Sequence, residues 1–236
     1  MRVLFAIVLL LASACGAANA GAQQGEIRRG FARKFPQLTV ESVRPLGVLG
    51  LWEVVASGEI YYVDPALTHV VVGEVVALEN MRSLTRERKR EISAIPWDSL
   101  PHELAFTRVK GKGTRHMAVF TDPDCPYCRR LEQELLQVDD VTLHIFLFPI
   151  PSLHPAAPDV AKRVWCSADR VRAWDDYMLR QVRPTATNAC DTPVDRIAAY
   201  AERKGITGTP TLVFANGERV PGVAPARQLE EFLNAK

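Results

Sequence analysis

The chain has almost no net charge. In its 236 residues, 29 lysines and arginines stand against 27 aspartates and glutamates, a formal +2. So close a balance gives no global attraction to nucleic acid. Beyond the N-terminus no apolar run reaches the ~20 residues that a transmembrane helix needs, so no stable membrane span is expected. The five histidines (His69, His102, His116, His144 and His154) show no metal-ligand spacing. Gly111-Lys112-Gly113 lacks the pattern of a phosphate loop and reads as a turn. Neither a metal nor another cofactor is expected. Internal repeats and low-complexity tracts are absent, which excludes an array or a fibrous chain.

What is present begins with a leader. Arg2 precedes an apolar run from Val3 to Ala12, and small residues follow to Ala18-Asn19-Ala20. A charged start, a short apolar stretch and an A-x-A site make residues 1–20 an expected cleavable signal peptide, which implies export. Cys15 invites a lipoprotein reading, but Ala12 stands where leucine is usual and a good A-x-A site follows. Removing residues 1–20 takes away Arg2 and Cys15, leaving a formal charge of +1 and four cysteines: Cys125, Cys128, Cys166 and Cys190. An even count in an exported chain predicts disulfides.

The remainder divides into two compositional regions. In the first, Ile27, Phe31 and Phe35 fall on one face of a helix over Glu26–Phe35 that Pro36 stops. Leu51–Ala56, Glu59–Val63 and His69–Leu78 read as short antiparallel strands, broken at Ser57-Gly58, Asp64-Pro65 and Gly73. One helix on so small a sheet is a thin core, and an exposed strand edge is a pairing surface. The charged run Arg82–Glu91 reads as a solvated linker helix with intrahelical charge pairs, the alternative being a basic patch for an anionic partner. From Leu104 onward the pattern is α/β. Strands are expected near Ala105–Val109, His116–Thr121, Val141–Phe148 and Thr211–Phe214. Helices are expected near Arg129–Val138, Asp159–Ser167, Arg170–Gln181, Val194–Lys204 and Pro225–Asn234.

The chemistry concentrates in Cys125-Pro126-Tyr127-Cys128. An apolar strand precedes it, and Leu131, Leu135, Leu136 and Val138 form one helical face after it. Cys125 therefore sits at or near a helix N-cap, with Pro126 at the tolerated first position. A thiolate there meets unpaired N–H groups and the positive end of the helix dipole, so its pKa should fall. A zinc site would want a second matching pair, and haem attachment would want His where Arg129 stands. A purely structural bridge would close too small a loop to stabilise much. Redox chemistry is the reading that remains. Bridging Cys166 to Cys190 would close a loop of ~25 residues and contribute ~3 kcal/mol, a second catalytic pair being the alternative. Gly208-Thr209-Pro210 ahead of a strand is either a cis-proline feature or an ordinary turn. Asp122 and Asp124 flank the cysteines, where a carboxylate can shuttle a proton, raise a thiol pKa or simply cap. His116 and His144 read as satisfied sheet residues.

Phe120-Thr121-Asp122 with Cys125-x-Tyr127-Cys128 resembles the catalytic motif of the periplasmic DsbC/DsbG thiol:disulfide isomerases. Val164-Trp165-Cys166-Ser167, Ala173-Trp174-Asp175-Asp176, Cys190-Asp191, Gly205-Ile206-x-Gly208-Thr209-Pro210 and Asn216-Gly217-x-x-Val220-Pro221-Gly222 continue the likeness to the C-terminus. The resemblance implies an α+β cystatin-like dimerisation domain over residues 21–80, a linker helix over 81–99, and a thioredoxin-like catalytic domain over 100–236. A helical insertion would occupy about 153–192, and two copies would form a V-shaped homodimer. By match, Cys125 is the nucleophile, Cys128 the resolving thiol, and Thr209-Pro210 a cis-proline loop facing them. Pro126, Tyr127 and Asp122 flank the site, and Cys166–Cys190 is the structural disulfide of the DsbC branch. Pro126 replaces a frequent glycine of that branch and is similar to DsbG; the insert cysteines favour DsbC.

The implied activity is isomerisation or reduction of wrong disulfides in exported proteins in the periplasm, through a Cys125 mixed disulfide. A membrane reductase of the DsbD type would keep the enzyme reduced. The alternatives are a DsbG-like reductase of sulfenylated single cysteines, and a dimeric periplasmic chaperone without essential thiol chemistry.

Overall fold

The structure is a computed structural model and describes residues 21–235; the expected signal peptide and Cys15 lie outside the described residues. The described residues separate into two compact units, one running to Ser93 and the other beginning at Ala94.

The N-terminal unit is a small sheet with a helix on each face. Helix α1 covers residues 21–34. Strands β1 (Val40–Pro45), β2 (Trp52–Ala56), β3 (Glu59–Val63) and β4 (Val70–Val71) follow in spatial order β1-β2-β3-β4. Ser57 and Gly58 join β2 to β3 with positive φ at both positions (51° and 77°), the geometry that matches a hairpin's twist and that Gly58 adopts without a Cβ clash. Every residue of β2 is buried, because alternate side chains meet different helices. Trp52, Val54 and Ala56 pack with Val43 and Val63 against Ile27 and Phe31 of α1. Val55 on the opposite face packs with Ile60, Tyr62 and the half-buried Ile92.

Ile92 belongs to α2 (Leu84–Ser93), which the two-residue ribbon β5 (Val76–Ala77) and β6 (Arg82–Ser83) precedes. The charged run thus forms a helix with one face packed on the sheet. Tyr62 and Thr85 hydroxyls bond at 2.6 Å in the interior. Glu53, 1 % exposed, lies between Arg88 of α2 and Arg44 of β1, each at 2.9 Å. Arg82–Glu87 and Arg88–Glu91 pair along the segment. The second helix doubles the cover of a sheet that α1 alone leaves half open. Strand β1 escapes the sequence pattern because a register shift between Val40 and Ser42 breaks its alternation and only Val43 is buried. Around Gly73 the expected strand His69–Leu78 divides into β4 and β5.

The C-terminal unit is a five-stranded sheet covered on both faces. Its strands are β7 (Phe106–Lys110), β8 (Arg115–Thr121), β9 (Val141–Leu147), β10 (Thr211–Phe214) and β11 (Arg219–Pro221). Their order is β11-β10-β8-β9-β7, with β8 and β9 parallel and the other pairs antiparallel. Period-two alternation sends Met117 and Val119 to one face and Ala118 and Phe120 to the other. The first face packs on α3 (Pro126–Leu135), α4 (Ala157–Cys166), α5 (Arg170–Arg180) and α7 (Ala226–Asn234) through Leu131, Val160, Trp174 and Leu229. The second packs on α6 (Val194–Arg203) through Ile197 and Tyr200 and on Ile95, Leu100 and Leu104. Because both faces are covered, β8 carries the unbroken apolar run Met117–Phe120. This is a thioredoxin-like layer arrangement. Helices α4 and α5 stand between β9 and α6, and a disulfide ties Cys166 at the end of α4 to Cys190.

Candidate active site

The strand-to-helix junction forms as the residues dictate. β8 ends at Thr121, the chain turns through Asp122-Pro123-Asp124, and Cys125 is the N-cap of α3 with extended φ and ψ of −72° and 123°. Its N–H donates to the Asp122 carbonyl (3.2 Å), and its own carbonyl accepts from Arg129 N–H (3.2 Å). Pro126 begins the helix, where a missing N–H costs nothing. No side-chain oxygen caps α3. The Cys125 side chain makes no capping hydrogen bond either, but the Tyr127 and Cys128 N–H groups at the start of α3 favour its ionised form.

Both thiols are free, and they are unequal. Donation from the Cys128 thiol outweighs burial and lowers the Cys125 pKa to about 5, with the Cys128 N–H, the Thr209 side chain and the Tyr127 N–H adding to the effect. Cys128 is fully buried, and burial followed by the anion at Cys125 raises its pKa. The Asp122 N–H points at Cys128 Sγ from 3.4 Å. One sulfur is therefore ionised at neutral pH while its neighbour holds its proton.

Across from Cys125, the Thr209–Pro210 peptide is cis, and the Thr209 carbonyl oxygen lies 3.5 Å from Cys125 Sγ. Tyr127, 63 % exposed, lines an open groove of roughly 460 Å³ with Arg130, Glu134, Thr209, Gly222 and Val223. The groove and the Cys125 sulfur thus share Thr209 as a wall.

Asp122 is wholly buried and accepts three bonds. Asp124 N–H reaches one oxygen at 2.8 Å; Ile150 N–H and His154 Nδ1 reach the other at 2.7 and 3.0 Å. Asp124 accepts from the Tyr177 hydroxyl at 2.5 Å, and the Arg129 guanidinium lies 5.5 Å from the Tyr177 ring centre. Neither His154 nor Tyr177 was distinguished by sequence reasoning. Each lies far from the cysteines in the chain and meets Asp122 or Asp124 only when the segments after β9 and along α5 fold over the loop at 122–124, so spacing carries no trace of them.

Three of the remaining histidines, His102, His116 and His144, contact one another, while His69 bonds the Thr68 hydroxyl at 2.8 Å. His144 Nε2 lies 3.3 Å from His116 Nδ1, and His144 Nδ1 lies 3.4 Å from His102 Nδ1. His102 Nε2 reaches the Trp97 carbonyl at 3.0 Å, which fixes that nitrogen as a donor. Burial, then the neighbouring His102 and His116, lower the His144 pKa to about 4. Among the described residues no group of three or more His, Cys, Asp or Glu side chains could hold a metal ion, and no helix is long and apolar enough to cross a membrane.

Comparison with known proteins agrees with this geometry. Residues 102–236 match the thioredoxin-like domain model, and residues 18–86 match the model of the disulfide bond isomerase protein N-terminal domain. A probable thiol:disulfide interchange protein DsbC of Bordetella pertussis is 38 % identical over 211 residues, which cover 89 % of this chain and 74 % of that protein. The thiol:disulfide interchange protein DsbC of Escherichia coli is 26 % identical over 99 % of this chain and 96 % of its own. A crystal structure of a disulfide interchange protein from Neisseria gonorrhoeae superimposes with a TM-score of 0.55 at 43 % identity, covering 57 % of this chain and 96 % of that one. The chain belongs to the DsbC family of thiol:disulfide interchange proteins.

Proposed function

We propose that Cys125 is the attacking thiolate of a disulfide isomerase and Cys128 its resolving thiol. The observation that carries this assignment is the inequality of the two sulfurs: Cys125 has its pKa lowered at the start of α3, and Cys128 is buried with its pKa raised. The Cys125 thiolate attacks one sulfur of a client disulfide. A Cys125–client bond forms, the client S–S bond breaks, and the other client sulfur leaves as a thiolate. In isomerisation a different client thiolate attacks the mixed disulfide and releases Cys125 unchanged, with no net transfer of electrons. In reduction Cys128 gives its proton to the departing client sulfur and bonds to Cys125. The client gains two electrons, and a dithiol donor must later return two electrons and one proton to restore the Cys125 thiolate and the Cys128 thiol, its second proton going to water.

Thr209 and Pro210 form the wall that receives the extended client chain beside Tyr127 and Pro126, and Asp122 holds the loop between β8 and α3. The clients are misfolded, disulfide-containing exported proteins in the periplasm, and the donor is a membrane thiol reductase of the DsbD type. The N-terminal unit joins two copies into a homodimer. The exposed edge strand β4, with Val70 and Val71 at 42 % and 49 % exposure, supports that reading.

Reactivation of a scrambled multi-disulfide substrate by the mature protein tests the function. Activity that Cys125→Ser abolishes is expected; activity that survives the substitution contradicts the assignment. The redox state of Cys125 and Cys128 in intact cells tests the direction: a mostly reduced pair is expected, and a mostly oxidised pair would mark an oxidant.

A further inference from the structure

Asp122 touches three functional groups at once. Through its backbone it holds both cysteines: its carbonyl accepts from Cys125 N–H at 3.2 Å, and its N–H faces Cys128 Sγ at 3.4 Å. Through its buried carboxylate it holds His154, with Nδ1 at 3.0 Å. A carboxylate accepts, so Nδ1 carries a proton and the outer nitrogen, Nε2, is the one that titrates. The backbone that carries the ring is fixed on both sides. Its own N–H donates to the Ile150 carbonyl at 2.9 Å, its carbonyl accepts from Ala157 N–H at 3.0 Å, and Pro155 follows. The side chain is 22 % exposed.

The ionisable groups whose fields reach His154 are Asp122, Cys125 and Asp124, all from the loop between β8 and α3 and the N-cap of α3. From the following helix, the Asp159 carboxylate is already taken by Arg163 at 2.7 Å and Asn188 at 2.8 Å. Of Asp122, Cys125 and Asp124, the Asp122 carboxylate is the one in hydrogen-bond contact with the imidazole.

Resting on the assignment of Cys125 as the attacking thiolate, we propose that His154, anchored on Asp122, is a positioning residue of the exchange: its imidazolium is the counter-charge beside which the Cys125 thiolate forms. When the Cys125 thiol ionises, its proton goes to water, and the negative sulfur gains a cation that its own helix does not supply. The His154 pKa is raised, by the bond to Asp122 first and the charges of Asp122, Cys125 and Asp124 after it, which keeps the cation populated as pH approaches neutrality. The coupling is reciprocal. A thiolate at Cys125 favours the imidazolium, and closing the Cys125–Cys128 disulfide removes that negative charge and releases the imidazole toward its neutral form.

The test uses the full chain in two redox forms. The His154 ring is titrated by NMR in the reduced protein and again after Cys125 and Cys128 are oxidised to their disulfide; a higher pKa in the reduced form is expected, and equal values overturn the proposal. Independently, the pH dependence of Cys125 alkylation by iodoacetamide is compared in wild type, His154→Gln and His154→Lys. Gln keeps a donor for Asp122 and removes the charge, so alkylation at pH ~5 should fall about three-fold, with Lys restoring most of it. A profile in His154→Gln that matches the wild type overturns the proposal while the thiolate assignment stands. A wild-type Cys125 that shows no thiolate reactivity at neutral pH removes that assignment itself.

Discussion

Glu132, four residues after Cys128 on the same helix, lies 2.6 Å from the guanidinium of Arg108 on the edge strand β7. The carboxylate is 2 % exposed, and its second oxygen accepts the Trp174 indole N–H at 2.8 Å. Arg108 in turn pairs with Asp175 on α5. One buried carboxylate therefore links the cysteine-bearing helix, the sheet and α5. Glu132→Ala leaves a buried cation with one partner fewer and an indole N–H without an acceptor, so chemical denaturation should show a loss of about 3 kcal/mol. Glu132→Gln, which keeps the acceptor for Trp174, should lose less. Equal stability in all three proteins would show that the link does not hold α3.

The pH dependence of thiol reactivity should separate the two cysteines. Cys125, lowered to about 5, is expected to alkylate along a sigmoid centred near that pH and to level off by neutrality. Cys128, buried and raised, should stay unmodified across the same range in the folded protein. In the unfolded chain Cys125 returns to the ordinary thiol value of 9.0, so the folded thiolate adds stability to the reduced protein above that value. The added stability is lost as pH falls through about 5. Peptide mass spectrometry after timed alkylation reads the first effect, and thermal melts of reduced and oxidised protein read the second.

Cys166–Cys190 should behave as a staple. Its sulfurs join positions 24 apart in sequence, and a loop of that size contributes ~3 kcal/mol when closed. A Cys166→Ala/Cys190→Ala protein should unfold at lower denaturant by that amount while retaining Cys125 alkylation at its wild-type rate below the transition. Loss of Cys125 reactivity in the folded double variant would place this disulfide in the exchange chemistry instead.

The histidine cluster gives a further pH effect. The His144 pKa is lowered from 6.5 to about 4, so the folded state favours the neutral ring. Its stabilising contribution is complete above 6.5 and is lost as pH falls toward 4, where the unfolded chain binds the proton first. His144→Asn should flatten the slope of melting temperature against pH across that window. An unchanged slope would contradict the burial assigned to this ring.

Much of the C-terminal unit is legible in the sequence because its strands are buried on both faces. Met117–Phe120 and Thr211–Phe214 read as apolar runs that no amphipathic helix would produce, and the helices between them carry period-3.6 stripes ending at Gly or a polar residue. Cys125 declares its N-cap position by following a strand and preceding Pro126. Other features depend on partners that no local pattern records. β1 has one buried residue, and β11 is three residues long. The charged α2 reads as solvated until Arg88 meets the buried Glu53. His154 joins the site only because the turn from Ile150 closes on Asp122. Local chemistry singled out Cys125 and Cys128 as candidates, and tertiary contacts supplied the groups around them.

The most direct measurement is a trap of the mixed disulfide. Cys128→Ser protein, reduced and mixed with a client containing a non-native disulfide, should accumulate a covalent adduct, because the thiol that would resolve it is absent. Peptide mapping by mass spectrometry should place the client cysteine on Cys125, and Cys125→Ser/Cys128→Ser should form no adduct. An adduct carried elsewhere, or none with Cys128→Ser while the wild-type protein rearranges the same client, would contradict the account.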